Sequence, residues 1–221
     1  VKSTLPRKRD PEATRARILA AAKAEFAHKG LGGARVDDIA KRAKTNKRML
    51  YHYFGRKEAL FRITLEDAYA GIREAEAALA VENDDPITAL KRLVQFTWTY
   101  YLHNPEFITL VNSENLHKAR HIKTSSRVHE ISRPFVGRMK SLLDRGMAAG
   151  LFRKDLDPVQ VNITIAAISY YYLTNRFTGT IIFERNLMSP QALTQRLDFN
   201  TQTILRLVCT QQTLAKLEAS T

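Results

Sequence analysis

The chain has 221 residues, 44% of them apolar and 26% charged, enough for a sizeable core, with no stretch near the ~18 uninterrupted apolar residues of a membrane span. Its single cysteine, Cys209, excludes an internal disulfide and suits a reducing cytoplasm, and charges scattered through the opening apolar stretch argue against a secretory signal. The formal net charge of +13 is uneven: the first 57 residues carry 16 Lys and Arg against 5 Asp and Glu, leaving only +2 on the other 164, a basic block that points to a polyanion such as nucleic acid.

Read along the chain, Arg7, Lys8 and Arg9 are expected to form a flexible basic arm able to reach a minor groove. Asp10-Pro11, Asp85-Pro86, Asp157-Pro158 and Ser189-Pro190 each precede a helix-patterned run. In each, the Asp or Ser oxygen accepts from an orphan N–H while proline occupies the first helical position. Asn104-Pro105 is a fifth break of this kind. No run shows sustained two-residue alternation with β-branched enrichment, so the chain is expected to be all-α with about nine helices. These fall near 11–29, 36–43, 46–53, 56–81, 86–103, 105–122, 132–149, 158–178 and 190–215. Gly30 is expected to end the first. The segment "KTSSRVHEIS" is expected to be irregular, and "GTIIFERNLMS" a packed loop. Three regions are expected: the arm at 1–10, a DNA-binding domain at 11–57, and a helical ligand-binding and dimerisation domain at 58–221.

The run "VDDIAKRAKTNKRMLYHYF" carries the main functional signal. Ile39, Ala43 and Leu50 are spaced to pack two short helices on a third, and Ala40 is small where helices cross. Asn46 can cap the third helix, whose first turn then presents Lys47 and Arg48. This is the pattern of a helix-turn-helix, which places the N-terminal residues of its second helix in the major groove. Arg48 or Lys47 is suited to guanine O6 and N7, and Asn46 to capping or to phosphate. Arg15 and Arg17 read as a solvated face or as phosphate contacts.

Over roughly 12–65 the chain resembles the TetR family of one-component regulators. The resemblance rests on "GARVDDIAKRA" and "NKRMLYHYFGRKEALF", above all on "LYHYF" followed by "KEAL". The chain departs from the family pattern at Lys44, which stands for a turn glycine, at Thr45, which stands for an aliphatic residue, and at Arg56, which replaces the usual Ser or Asn cap. A non-glycine residue in a left-handed turn costs about 1 kcal/mol, which a fold tolerates. The resemblance implies that Tyr51 and His52 touch phosphate or base edges. Lys57 is expected on a phosphate at the start of the fourth helix, with Arg35 and Thr45 flanking the groove.

The nearly neutral remainder is rich in aromatic residues, which with a few polar groups suits a small-molecule pocket. The residues expected to line it are Trp98, Tyr101, Asn112, Asn115, His117, His121, Tyr172, Asn175 and Arg176. Glu114, His117 and His121 would share one helix face, a spacing compatible with a metal, with a polar or carboxylate ligand, or with a structural or solvated role. No metal or other cofactor is expected. Glu76, Asp84 and Asp85 are expected to face solvent. The run "VQVNITIAAISYYYLTNRF" is apolar nearly all round, so more than one face needs cover. Ile165, Ile168, Leu197, Ile204 and Val208 are the expected dimer interface. No catalytic constellation stands out. The resemblance therefore implies a cytoplasmic homodimeric repressor that binds double-stranded operator DNA and releases it to a small-molecule effector. The alternative is an architectural nucleic-acid binder without a ligand.

Overall fold

The computed structural model describes residues 10–219, so the expected arm of Arg7, Lys8 and Arg9 lies outside the described residues. Among these the chain is all-α. Its helices are α1 (Pro11–Gly33), α2 (Val36–Arg42), α3 (Lys47–Phe54), α4 (Lys57–Ala77), α5 (Pro86–His103), α6 (Pro105–Leu116), α7 (Ser126–Ala148), α8 (Pro158–Thr174), α9 (Arg176–Ile182), α10 (Pro190–Val208) and α11 (Gln211–Ala219), with one 3-10 turn at Val81–Asn83. The proline punctuation is realised in hydrogen bonds. Asp10 accepts from the N–H groups of Glu12 and Ala13, Asp85 from Ile87 and Thr88, Asp157 from Val159 and Gln160, and Ser189 from Ala192.

Five boundaries differ from the sequence reading. The fourth helix, expected to reach 81, ends at Ala77 ahead of the 3-10 turn. The segment expected to be irregular opens α7 at Ser126. That helix contains Pro134, which denies the carbonyl of Glu130 its N–H partner, and both residues are exposed, where water replaces the bond. The eighth helix stops at Thr174 and a separate α9 follows. The ninth run breaks at Cys209, which pairs with Phe152 in an isolated antiparallel bridge, before α11. The sixth helix ends at Leu116 rather than near 122, so His117 and His121 lie beyond it and share no helix face with Glu114.

The chain forms two compact units: one made of residues 1–68 and 109–125, the other of 69–108 and 126–221. In the first, Ile18, Phe26, Ile39, Leu50, Leu60 and Phe61 are fully buried, with Phe26 and Phe61 edge to face at 5.1 Å. α1 is interrupted at Gly30, whose φ of 66° needs glycine, so the expected stop appears as a kink. In the second unit α5 is the central helix, packed against α7, α8 and α10. Its core holds Leu90, Val94, Leu142, Phe152, Ile204 and Val208.

This core absorbs part of the expected dimer interface. Ile204 and Val208 are 0% exposed and Ile165 is buried within the chain, while Ile168 and Leu197 are half-buried. The reason is helical phase. Val161, Ile165, Ser169 and Leu173 form the stripe of α8 that faces the core, whereas Val159, Ile163, Ala167 and Tyr171 lie on the opposite, exposed stripe. The segment expected to be a packed loop after α8 is partly helical, in α9, and only partly packed: Gly179 and Leu187 are buried, but Ile181, Ile182 and Phe183 face outward.

α7 ends in a Schellman turn. Gly150 is left-handed at φ 69°, its N–H donates to Met147 O, and Leu151 N–H donates to Gly146 O. Phe152 then folds back so closely that a Cβ on Gly146 would sit 1.9 Å from its ring. Alanine would gain about 1 kcal/mol of helix propensity, but the buried ring has nowhere to retreat. Gly146→Ala is therefore expected to be net destabilising by about 1–3 kcal/mol, read as a fall in midpoint on chemical denaturation. An unchanged or raised midpoint would show that the ring relaxes.

Candidate functional site

The first unit presents a basic helix-turn-helix. Its turn is a second Schellman ending: Lys44 N–H donates to Lys41 O, Thr45 N–H to Ala40 O, and Lys44 occupies the left-handed position at φ 52°. Lysine thus stands where glycine is strain-free, at the cost of about 1 kcal/mol anticipated above. The turn aims α3 outward. The Asn46 side chain accepts from Met49 N–H at 2.9 Å, so it caps α3. Leu50 and Phe54 are buried.

On the other face of the module Arg35, Lys47, Arg48, Tyr51 and His52 are all exposed, and Thr45 is half-buried. Lys47 pairs with Asp37 at 3.2 Å, a solvent-exposed contact of little energetic weight that DNA could replace. Arg48 makes no hydrogen bond or ion pair among the described residues. Arg15 lies over the Phe54 ring at 5.3 Å, and Arg17 donates to Ala43 O and Thr14, so both brace α1 as well as carrying charge.

Lys57 behaves differently from the expectation. Its ammonium donates to Leu31 O at 2.8 Å and to Ala34 O at 3.2 Å, the carbonyls that follow the Gly30 kink. Two of its three N–H groups are thereby engaged within the protein, and its first role is to tie α4 to the end of α1. Nothing in the sequence signals those carbonyls, because they sit 26 and 23 residues away.

The expected ligand residues separate into two groups. Asn112, Asn115, His117 and His121 belong to the first unit. Asn115 donates to Val111 O of its own helix, and the His117 ring contacts Ser113 O at 2.6 Å. His121 is buried against Glu114, Nδ1 to Oε2 at 2.6 Å, while Glu114 Oε1 accepts from the N–H groups of His121 and Ile122. Glu114 and His121 therefore hold together the turn after α6, where Lys118 and Ala119 are both left-handed. They do not stand open to a ligand.

Trp98, Tyr101, Tyr172, Asn175 and Arg176 lie in the second unit. Trp98 and Tyr172 meet edge to face at 5.6 Å, and the Tyr172 hydroxyl donates to Leu187 O. Asn175 caps the end of α8 by donating to Tyr171 O, and Arg176 donates to Leu173 O. Only Tyr101 of this set opens onto the enclosed cavity formed by α4, α5, α7 and α8.

That cavity has an open volume of about 30 Å³. Its apolar walls include Leu93, Met139 and Ile165, and its polar wall is a buried ion cluster. The Glu76 carboxylate bridges Arg73 at 2.7 Å and Arg138 at 3.1 Å, and the Arg73 guanidinium lies 3.8 Å from the centre of the Phe135 ring. Burial pulls the Arg73 pKa down, against the attraction of Glu76. Burial also pushes the Tyr101 hydroxyl up to about 12, so it remains a protonated donor. Glu76 is thus not solvent-facing as expected. Asp84 is engaged by Arg92, and Asp85 caps α5. A signal was present in the sequence: position 76 continues the apolar stripe of Leu65, Ala68 and Ile72, and a carboxylate on such a stripe must be buried and paired.

Comparison with known proteins accords with both halves. Residues 18–62 match the family model described as bacterial regulatory proteins of the tetR family, and residues 86–204 match a tetracyclin repressor-like C-terminal domain. The HTH-type transcriptional repressor NicS of Pseudomonas putida is 38% identical over 200 residues, which cover 90% of this chain and 94% of that protein. The repressor SCO4008 of Streptomyces coelicolor is 40% identical over 108 residues, 49% of this chain and 53% of that protein. Among solved structures, SCO4942 of Streptomyces coelicolor superposes with a TM-score of 0.68 at 27% identity, covering 88% of this chain and 98% of that one. A basic helix-turn-helix followed by a helical domain with its own cavity, matched over nearly the whole length of a relative, makes this chain a member of the TetR family of DNA-binding transcriptional regulators.

Proposed function

We propose that the protein is a homodimeric repressor in which two copies of α3 read successive operator half-sites and a small molecule in the α4–α5–α7–α8 cavity brings about release. The observation that carries this reading is the coexistence of an exposed cationic α3 face with an enclosed cavity containing buried polar groups. Buried donors without acceptors around that cavity have no role in a purely architectural DNA binder. That two relatives are named as repressors favours repression over activation. α4 supplies Lys57 to the DNA-binding unit and Ile72, Arg73 and Glu76 to the cavity wall. A ligand that binds better when α4 has shifted would alter the presentation of α3, and half-sites about 34–36 Å apart tolerate little such change.

The dimer surface we assign is the exposed stripe of α8 with Phe199 and Leu207 of α10, rather than one centred on the buried Ile165, Ile204 and Val208. Val159, Ile163, Tyr171, Phe199 and Leu207 are large apolar side chains left exposed on two neighbouring helices, and exposed apolar surface of this kind marks a candidate interface. Ile163→Glu is expected to convert the dimer to a folded monomer with much weakened operator binding, because an unpaired carboxylate in an interface costs several kcal/mol. Ile204→Glu, placed in the subunit core, is expected to unfold the chain instead. Sedimentation and circular dichroism separate these outcomes; a dimeric Ile163→Glu protein would refute the assignment.

Operator affinity should fall about 10³–10⁵-fold between 50 and 200 mM salt if about 6–10 phosphates are neutralised, and an anisotropy titration that stays flat would remove the basic face as the DNA surface. Arg48→Ala should relax preference at one base pair per half-site at a cost of about 1–3 kcal/mol. Lys57→Ala should lower the melting temperature, since each of its two carbonyl contacts is a hydrogen bond to a charged donor worth about 1.5–3 kcal/mol. Binding across single-base operator variants, with thermal melts of both proteins, tests the pair. Sequence-blind loss from Arg48→Ala, or an unaltered melt for Lys57→Ala, would contradict these roles.

A further inference from the structure

The wall of the cavity in the second unit has more donors and more positive charge than its own acceptors satisfy. Two guanidinium groups, Arg73 and Arg138, share the single carboxylate of Glu76, which leaves one formal positive charge. Arg138 Nε is buried without a hydrogen-bond partner, and so is Nδ2 of Asn162, a residue only 8% exposed on the α8 side of the cavity. The Tyr101 hydroxyl adds another donor. Buried polar groups are normally paired, and an unpaired set in one place calls for an acceptor.

We propose that the effector is a monoanionic carboxylate on a small apolar body, its oxygens received by Arg138 and Asn162 and its body lying between Leu93, Met139 and Ile165. This rests on the reading of that cavity as the effector site. A single surplus positive charge matches one carboxylate, whereas a phosphate dianion would leave negative charge buried. The planar fork of a guanidinium fits carboxylate geometry. The walls around the charged end are apolar, so the rest of the ligand contributes by burial. The present volume of about 30 Å³ holds little more than a water molecule. Binding must therefore move side chains of α4, α5, α7 or α8, and the coupling to α4 follows from that displacement.

The test is calorimetric titration and thermal melting of the full chain with a graded series of carboxylates, acetate, hexanoate, octanoate and benzoate, each beside its primary amide. The amides keep shape and remove charge. At least one carboxylate is expected to bind and raise the melting temperature while its amide does not. Arg138→Gln is expected to weaken that binding by at least about tenfold, the loss of one charge-assisted hydrogen bond. Should Arg138→Gln fail to fold, Asn162→Leu conserves volume and removes the second donor, with the same expected direction. Amides that bind as well as their acids, or carboxylate binding indifferent to both substitutions, would overturn the proposal. So would a series in which no carboxylate binds. A neutral compound that releases the operator would then leave the cavity as effector site and remove only the ligand class, whereas the failure of a broad neutral library as well would remove both.

Discussion

The second unit is organised by the need to cover α8, a helix whose apolar residues run round nearly its whole circumference. One stripe, Val161, Ile165, Ser169 and Leu173, is buried by its own subunit, and a buried Ser169–Asn200 hydrogen bond links α8 to α10. The opposite stripe, from Val159 to Tyr171, has no such cover among the described residues. Burying a large apolar side chain is worth about 1.5–3 kcal/mol, so several on one face supply a substantial drive for association. The same helix contributes Asn162 to the cavity. Core, cavity wall and proposed interface are thus three faces of one element.

In the first unit electrostatics are arranged at two depths. Exposed cations such as Lys47 and Arg48 are weakly held and available to a polyanion. Others are built into the scaffold. Lys57 satisfies two carbonyls after the Gly30 kink, Arg17 donates to the carbonyl at the end of α2, and Lys29 with Arg42 flanks the buried Glu25. The basic composition therefore serves two purposes. A charge count alone does not distinguish a cation that reads from one that braces.

The buried cluster of Arg73, Glu76 and Arg138 is costly as a stabilising device, because desolvating ions consumes much of their mutual attraction. Apolar residues of similar volume would serve packing at least as well. Its retention in a cavity with further unpaired donors is the physical reason to connect it with recognition. In contrast, the Glu114–His121 pair has its acceptors engaged by ring and backbone N–H groups, and it holds a turn containing two left-handed residues. The two buried acid–base clusters thus differ in what remains unpaired.

Much of this was legible before any coordinates. Helix starts are local events, decided by a side-chain oxygen two or three residues from the N–H it caps, and the Asp-Pro and Ser-Pro breaks fell where they were expected. The left-handed turn at Lys44 was implied by the family resemblance, where a glycine stands at that position, and the outward face of α3 followed from spacing over a dozen residues. Helix ends were less legible. The stop of α6 at Leu116 and the break at Cys209 depend on Glu114 reaching forward to a turn and on Phe152 pairing from another part of the chain. Which stripe of α8 turns inward, which cations find carbonyls, and which carboxylate is buried between two arginines are choices among faces that are equivalent on an isolated helix. Local sequence determined the elements and their polarity. Only the packing of one element on another decided which apolar face became core, which stayed exposed, and which polar groups were left facing a cavity, because burial and pairing depend on neighbours distant in sequence.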